Sequence, residues 1–302
     1  MSNIAAVWSY KLQLSYFTIT CVILAFIATV LIALSLICGP SFSVMNKYIP
    51  MLENILFILG FSLFGVTILL LAFYTLYHTI FYFQVSDNSS RLIKSTILST
   101  SILFILMWVC FTLSYLQLKT VIKITEVTLE FYYELLFWSG SYLLQFIYTQ
   151  TLIFVWVILF YSGVGREVRY SKLYLTLLVL NFVIALAAPM GHLLYNILDD
   201  GFKEYYIVLE RYGNGIIPVL VLVLLLYDLM IYSAKTKPVK KNKARAVASF
   251  SLICSGILFV LGRLVELSIT NTAPLTLAYY QAPVAGITIA FIGFSFLIIC
   301  RY

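Results

Sequence analysis

Residues 134–146 read ELLFWSGSYLLQF, and they open an apolar run that continues to residue 162. A helix surrounded only by lipid would carry mainly Leu, Ile and Val. Small or hydrogen-bonding side chains stand here instead, at Trp138, Ser139, Gly140, Ser141, Tyr142 and Gln145. Polar groups are costly in hydrocarbon, so these side chains are expected to face a protein interior, a cavity or a cofactor. The stretch predicts a membrane-spanning helix with one polar face.

The composition of the whole chain supports a membrane protein. It is 63% hydrophobic and only 10% charged, with a mean hydropathy of +1.02, which excludes an ordinary soluble domain. Apolar runs long enough to cross about 30 Å of hydrocarbon fall roughly at 13–37, 52–82, 95–117, 136–162, 173–197, 214–233, 247–269 and 279–300. The sequence therefore predicts an all-α bundle of about eight spans, with residues 1–302 forming a single integral membrane domain.

The cysteines and the first apolar run exclude two other classes. Five cysteines are scattered, mostly inside the predicted spans, at Cys21, Cys38, Cys110, Cys254 and Cys300. Their spacing indicates neither a disulfide framework nor a metal site. The first apolar run is too long for a cleavable signal peptide and contains no small-residue cleavage site. We expect the chain to enter the bilayer by its own spans.

The distribution of Lys and Arg predicts the orientation. Thirteen basic residues fall on one side, at Lys11, Arg91, Lys94, Arg166, Arg169, Lys172, Lys235, Lys237, Lys240, Lys241, Lys243, Arg245 and Arg301. Five fall on the other, at Lys47, Lys119, Lys123, Lys203 and Arg211. The richer side, which includes both termini, is predicted to be cytoplasmic. The net charge of +7 thus reflects orientation in a lipid bilayer and not nucleic-acid binding. A bacterial inner membrane or an organellar inner membrane fits this pattern.

This orientation places polar residues of five spans at one depth, in the outer half of the membrane. They are Met51, Glu53, Glu134, Trp138, Tyr142, Gln145, Met190, His192, Arg263, Glu266, Tyr279, Tyr280 and Gln281. Two interpretations stay open, an interior polar cluster or an interfacial belt of aromatic and polar side chains. Arg263 and Glu266 are three residues apart, close enough to pair on one helix. His192 is expected at the interface, and Asp228 at a cytoplasmic helix end where it can reach water.

Two segments resemble the catalytic subunit of the heme-copper oxidase superfamily, in particular a bacterial cbb3-type subunit I-like branch. Residues 138–146, WSGSYLLQF, are similar to WGGGHVLQF in a span of that branch. Residues 278–282, AYYQA, precede AGITIAFIG at 285–293, and together they resemble a last span that reads AHYHG followed by GAVTLAFMG. The segment RYGNGIIP at 211–218 and the pair Met51 and Glu53 are weaker matches, the pair standing where the family tends to have His and Asp.

The departures from this resemblance concern the metal ligands. Tyr142 stands at the position of a copper-ligand His, and Tyr279 and Gln281 replace the two histidines of the last span. Heme iron and copper in this family need imidazole nitrogens, yet the chain has two histidines, His78 and His192. The resemblance therefore implies a shortened relative without oxygen-reduction chemistry, and no cofactor is expected. Met51 is a further former-ligand position.

Three functions follow as hypotheses. The first is a redox-inactive, oxidase-like protein with an accessory or assembly role beside other membrane subunits of a respiratory complex. The second is a small transporter or channel-like protein that binds a polar solute in an outer-half cavity formed by the cluster of Glu53, Trp138, Gln145, Arg263 and Glu266. The third is an electron carrier in which His192 or Met190 holds a single heme. An enzymatic role is expected only in the third case.

Overall fold

The computed structural model describes residues 16–37, 43–44, 51–85, 88–122, 128–235, 243–268 and 273–299. Within these ranges, eight helical segments are long and apolar enough to cross a membrane. The prediction of a polytopic helical membrane protein with eight spans is confirmed, and the chain has the lipid bilayer as its surroundings.

Helices account for nearly all of the described structure. They are α1 (Tyr16–Ser35), α2 (Ile55–Phe81), α3 (Asn88–Val121), α4 (Leu129–Val164), α5 (Ser171–Ala185), α6 (Met190–Leu194), α7 (Asp200–Val208), the π-helix (Leu209–Asn214), α8 (Ile216–Lys235), α9 (Lys243–Ser268) and α10 (Ala273–Ile299). A short antiparallel pair, β1 (Ser43–Val44) and β2 (Met51–Leu52), precedes α2.

Two of the eight spans are composite. The fifth, Ser171–Leu194, consists of α5 and the short α6, and the sixth, Asp200–Tyr232, consists of α7, the π-helix and most of α8. The sequence predicted the sixth span from residue 214, because only its later part is uniformly apolar. In the structure, the sixth span begins at Asp200, because the polar segment before residue 214 is helical as well.

The chain divides into two compact units. Unit 1 comprises Met1–Ile147 and Val183–Leu209, and unit 2 comprises Tyr148–Phe182 and Glu210–Tyr302. The long helix α4 contributes its first half to unit 1 and its second half to unit 2. The sequence-based expectation that residues 1–302 form a single integral membrane domain stays a prediction.

In unit 1, α2 packs against both α1 and α3. Gly60 permits the first of these contacts, since a Cβ there would lie 2.9 Å from the Ala28 carbonyl oxygen. The start of α2 is capped by Asn54, whose side chain accepts a hydrogen bond from the Leu56 amide. Such a cap satisfies one of the amide groups left open at a helix start.

In unit 2, α9 and α10 pack along each other over much of their length. Small residues permit this approach. A Cβ at Gly286 would lie 2.8 Å from the Ser255 carbonyl oxygen, and a Cβ at Gly262 would overlap the Pro283 ring. Close backbone approach through small residues is the usual basis of helix association in membranes, where hydrophobic burial provides little driving force.

Helix α4 is the most buried of the eight spans. Of its most apolar window, 61% is buried inside the protein, compared with 11% for α1. The polar stretch at residues 134–146 therefore belongs to the protein interior and not to a lipid-facing surface. The sequence indicated this, because its small and hydrogen-bonding residues would be costly against hydrocarbon.

Candidate functional site

The Tyr142 position in unit 1 lies inside a group of aromatic rings. The Tyr142 side chain is only 3% exposed. Its ring centroid lies 5.6 Å from that of Trp138 and 5.8 Å from that of Tyr206. These separations are typical of favourable aromatic pairs. The position at which the resemblance implies a lost metal ligand is therefore occupied by packed aromatic side chains.

Beside this group lies a buried hydrogen-bond network centred on His192. Its Nδ1 atom lies 3.0 Å from the Gln117 side-chain oxygen, and its Nε2 atom lies 3.0 Å from the Ser139 hydroxyl. Ser139 is also 3.1 Å from the Ser114 hydroxyl. The imidazole is 6% exposed. Helix α6 thus places the ring in the interior of unit 1, and the expected position of His192 at the depth of the membrane interface stays a prediction.

The protons of this network can be assigned from the Gln117 amide. Its Nε2 group donates to the His192 backbone carbonyl at 3.0 Å, so its oxygen is the atom that faces the imidazole. An amide oxygen only accepts, so His192 donates through Nδ1–H and, as a neutral ring, accepts at Nε2. Ser139 then donates to His192, and Ser114 donates to Ser139. Both nitrogens of the imidazole are thus engaged.

Aromatic residues of α7 close this network on one side. Phe202 and Tyr206 contact the His192 ring edge-to-face, with centroids 5.0 and 6.2 Å away. The Tyr205 and Tyr206 hydroxyls donate to the carbonyls of Ala187 and Ala188, both at 2.7 Å. Those carbonyls lie just after α5 and also accept from the Met190 and Gly191 amides, so the tyrosines add a second hydrogen bond to each carbonyl and tie α7 to the turn between α5 and α6.

A partly exposed ion pair lies at the edge of the same aromatic group. Lys203 Nζ is 3.1 Å from Glu134 Oε1. The same ammonium group lies 5.2 Å from the Trp138 ring and 5.0 Å from the Phe131 ring, which adds cation–π attraction. Since both charged side chains are about 30% exposed, solvent screening keeps the contribution of this pair to stability small.

The His192 site does not fit a heme. Both ring nitrogens already have hydrogen-bond partners, so coordination would break the contact with Gln117 or with Ser139. Met190, the other suggested ligand, has a side chain that is 49% exposed. Residues two apart on a helix do not face each other, so Met190 and His192 do not converge on one group.

Unit 2 contains a second polar cluster, at the π-helix. Arg263 of α9 pairs with Glu210 at 3.4 Å, and the two side chains are 11% and 7% exposed. The guanidinium also lies 5.3 Å from the Phe259 ring. The sequence paired Arg263 with Glu266, but the contact that the structure describes is with Glu210. The Glu266 side chain lies outside the described residues.

The second half of α4 extends this cluster by buried polar contacts to three other elements. Thr149 donates to the Asn214 side-chain oxygen at the end of the π-helix. Asn181 of α5 donates to the Gln150 oxygen at 2.8 Å, and Gln150 donates to the Leu178 carbonyl at 3.0 Å. The Trp156 indole donates to Ser255 of α9 at 2.8 Å. The polar face of α4 therefore continues well past residue 146.

Asp228 of α8 is buried, contrary to the expectation that it reaches water. It is 1% exposed. Its Oδ2 atom accepts from the Arg169 backbone amide at 3.2 Å and from the Tyr174 hydroxyl at 3.3 Å. The carboxylate thereby fixes the connection between α4 and α5, because its two donors lie on either side of the start of α5.

The remaining predicted residues divide into three groups. Trp138 is 3% exposed and belongs to unit 1. Gln145 is half-buried and Glu53 is exposed, so Glu53 adds no buried charge to unit 1. Met51 is described as backbone, paired with Val44 in β2, and the helical positions Tyr279 and Gln281 are described as backbone of α10. The side chains of these last three lie outside the described residues.

Sequence reasoning missed the residues that complete both clusters. In unit 1 these are Ser114 and Gln117, and in unit 2 they are Thr149, Gln150, Asn181, Glu210 and Asn214. A signal was present, because Thr149-Gln150-Thr151 and Asn181 interrupt apolar spans. Glu210 carried no such signal, since it precedes the apolar run and its burial depends on the π-helix.

Within the described ranges, no group of three His, Cys, Asp or Glu side chains is arranged to hold a metal ion.

Among known proteins, the chain is 43% identical over 293 residues to Uncharacterized protein RP382 of Rickettsia prowazekii (strain Madrid E). This alignment covers 90% of the chain and 56% of that protein, so the chain spans about half the length of the curated relative it matches. No family model and no solved structure matches the chain.

Proposed function

We propose that the chain is a redox-inactive membrane protein related to the heme-copper oxidase core, with an accessory or assembly role in a respiratory complex. One observation carries this proposal. Tyr142, at the position of a former metal ligand, is buried between Trp138 and Tyr206, so the space of a metal site is taken by side chains. The nearby imidazole of His192 is held by two hydrogen bonds.

An optical spectrum and a metal analysis of the detergent-purified protein test the redox part of the proposal. We expect no Soret band and no iron or copper in stoichiometric amount. A Soret band that is lost in His192→Ala, but kept in the control His78→Ala, would contradict the proposal and support the single-heme electron carrier instead.

The accessory role is tested in cells that carry the gene. Its deletion is expected to lower the amount of assembled respiratory oxidase, measured by heme difference spectra of membranes and by native gel electrophoresis. Complementation with Tyr142→Phe is expected to restore assembly, because the phenol is not required as a ligand. Unchanged oxidase content after deletion would contradict the accessory role.

A second function, transport of a polar solute, is favoured by the interruption of the sixth span. The π-helix and Gly215 break this span beside the buried pair of Glu210 and Arg263. Broken helices with charged groups at the break are typical of solute sites in transporters, and π-helical turns are frequent at functional sites. Solute flux into proteoliposomes that is lost in Arg263→Ala would support transport, whereas flux unaffected by this change would contradict it.

A further inference from the structure

We propose that one end of unit 2 is a binding surface for the phosphodiester headgroup of an anionic membrane lipid, formed by Arg166, Arg169 and Arg245. Arg166 and Arg169 lie in the connection between α4 and α5, and Arg245 lies in the first turn of α9. The surface belongs to unit 2 alone. Lipid binding there goes beyond the accessory role and the transport role, and it depends on neither of them.

The three guanidinium groups share one property, since none has a carboxylate partner among the residues that the structure describes. The guanidinium of Arg166 lies 5.5 Å from the Tyr232 ring, and that of Arg169 lies 5.5 Å from the Tyr170 ring. These ring contacts attract the positive charge but provide no oxygen that accepts a hydrogen bond. The N–H groups of both side chains are therefore suited to bind an anion.

Arg245 adds its charge to the same connection through Gly165, which directly follows α4. Gly165 has a φ of 76°, a conformation that glycine adopts without steric cost. A Cβ there would lie 3.4 Å from Arg245 Nη2 and 3.6 Å from its Cζ, so the guanidinium lies against the residue before Arg166. Residues 164–172 and 243–248 together carry five basic side chains and one acidic side chain, Glu167. Such an excess of one charge attracts anions.

Two hydrogen bonds to α8 hold the connection between α4 and α5 in place. The Arg169 backbone amide donates to Asp228 Oδ2 at 3.2 Å, and the Tyr232 hydroxyl donates to the Glu167 carbonyl at 3.2 Å. Asp228 is 1% exposed, whereas the Arg169 side chain is exposed. The carboxylate thus fixes the backbone from inside, and the guanidinium points to the surface. A surface fixed in this way loses less conformational entropy when a ligand binds.

The position of this surface favours a lipid over a free anion. Four spans begin or end there, at Val164, Ser171, Tyr232 and Lys243. The ends of spans lie at the depth of the lipid headgroups. Exposed apolar side chains follow on two of these spans, with Leu173 41% and Phe250 68% exposed. Guanidinium groups bind phosphate through paired N–H donors, and the acyl chains of the same lipid would contact the apolar side chains.

Native mass spectrometry of the full chain, released from detergent micelles that contain added lipid, measures this binding. The probes are phosphatidylglycerol, which is anionic, and phosphatidylcholine with the same acyl chains, which is zwitterionic. We expect the unmodified protein to retain phosphatidylglycerol about tenfold or more strongly, because the attractions of several basic residues to an anionic headgroup add.

The variant Arg166→Gln/Arg169→Gln tests the two exposed guanidinium groups. It is expected to lower phosphatidylglycerol binding about fivefold or more, and adding Arg245→Gln is expected to lower it further. Phosphatidylcholine binding is expected to stay unchanged in both variants. Since the side chains of Arg166 and Arg169 are exposed, the double variant is expected to fold.

The matched control is Arg91→Gln/Lys119→Gln, which removes two exposed positive charges from unit 1. It is expected to change phosphatidylglycerol binding by less than about twofold. An equal loss in the two double variants would show attraction by net charge alone and overturn the proposal, as would equal retention of both lipids by the unmodified protein. Displacement of phosphatidylglycerol by millimolar inorganic phosphate at constant ionic strength would show a site for a soluble anion and also overturn it.

Discussion

His192 and Gln117 are joined by two hydrogen bonds within unit 1. Gln117 holds His192 at two points, through the ring and through the backbone carbonyl. We predict that His192→Ala lowers the free energy of unfolding by about 2–4 kcal/mol, because it removes two buried hydrogen bonds and leaves a cavity. Thermal unfolding in detergent measures this. His78→Ala, at an exposed position, is expected to change stability by less than about 0.5 kcal/mol, and an equal effect of the two changes would contradict the network.

Asp228 offers a second test at the scale of single residues. Its Oδ1 atom is buried and has no hydrogen-bond partner, whereas Oδ2 accepts from Arg169 and Tyr174. We predict that Asp228→Asn destabilises less than Asp228→Ala, since the amide keeps the oxygen that accepts from Arg169 and Tyr174 and removes a buried charge, which offsets the cost of an amide NH2 without an acceptor. Asp228→Ala is expected to destabilise by about 2–4 kcal/mol, because it leaves the Tyr174 hydroxyl without a partner.

The Asp228 prediction is checked by thermal unfolding of the two variants together with Tyr174→Phe. Adding Tyr174→Phe to Asp228→Ala is expected to lower the free energy of unfolding only slightly further, because the hydroxyl that lost its partner is then absent. Destabilisation by Asp228→Asn as large as that by Asp228→Ala would show instead that the charge itself is required.

At the scale of elements, two glycines provide a matched comparison. A Cβ at Gly286 would meet the Ser255 backbone at 2.8 Å, whereas a Cβ at Gly140 would meet only Met107 atoms at 3.6 Å or more. We predict that Gly286→Ala forces α9 and α10 apart and lowers the unfolding temperature. Gly140→Ala is expected to be neutral or stabilising by up to about 1 kcal/mol, because alanine favours a helix over glycine. The reverse order in detergent unfolding experiments would contradict the packing of α9 on α10.

The sequence predicted elements better than contacts. Apolar length was sufficient to place all eight spans, because crossing hydrocarbon requires about 20 apolar residues in each helix. The polar face of α4 was also predicted, but only up to Gln145. Composition does not reveal a π-helix, so Glu210 was missed as the partner of Arg263. The orientation of His192 depends on the short helix α6, whose five residues are too few to show the hydrophobic periodicity of a helix.

At the scale of the whole molecule, the orientation in the bilayer is predicted from thirteen basic residues on one side and five on the other. The fifth span, Ser171–Leu194, provides a local test because both of its flanks are exposed. In a cysteine-free background, a cysteine replacing Glu167 is expected to react with a membrane-impermeant maleimide only after the cells are opened. A cysteine replacing Asn196 is expected to react in intact cells.

These two positions flank one span, so they must label from opposite sides if that span crosses the membrane. Labelling of both from the same side would contradict the crossing itself. Labelling of Glu167→Cys in intact cells and of Asn196→Cys only in opened cells would keep the span but invert the orientation. In that case the break at the π-helix would face the cytoplasm, and any solute that binds there would enter the site from inside the cell.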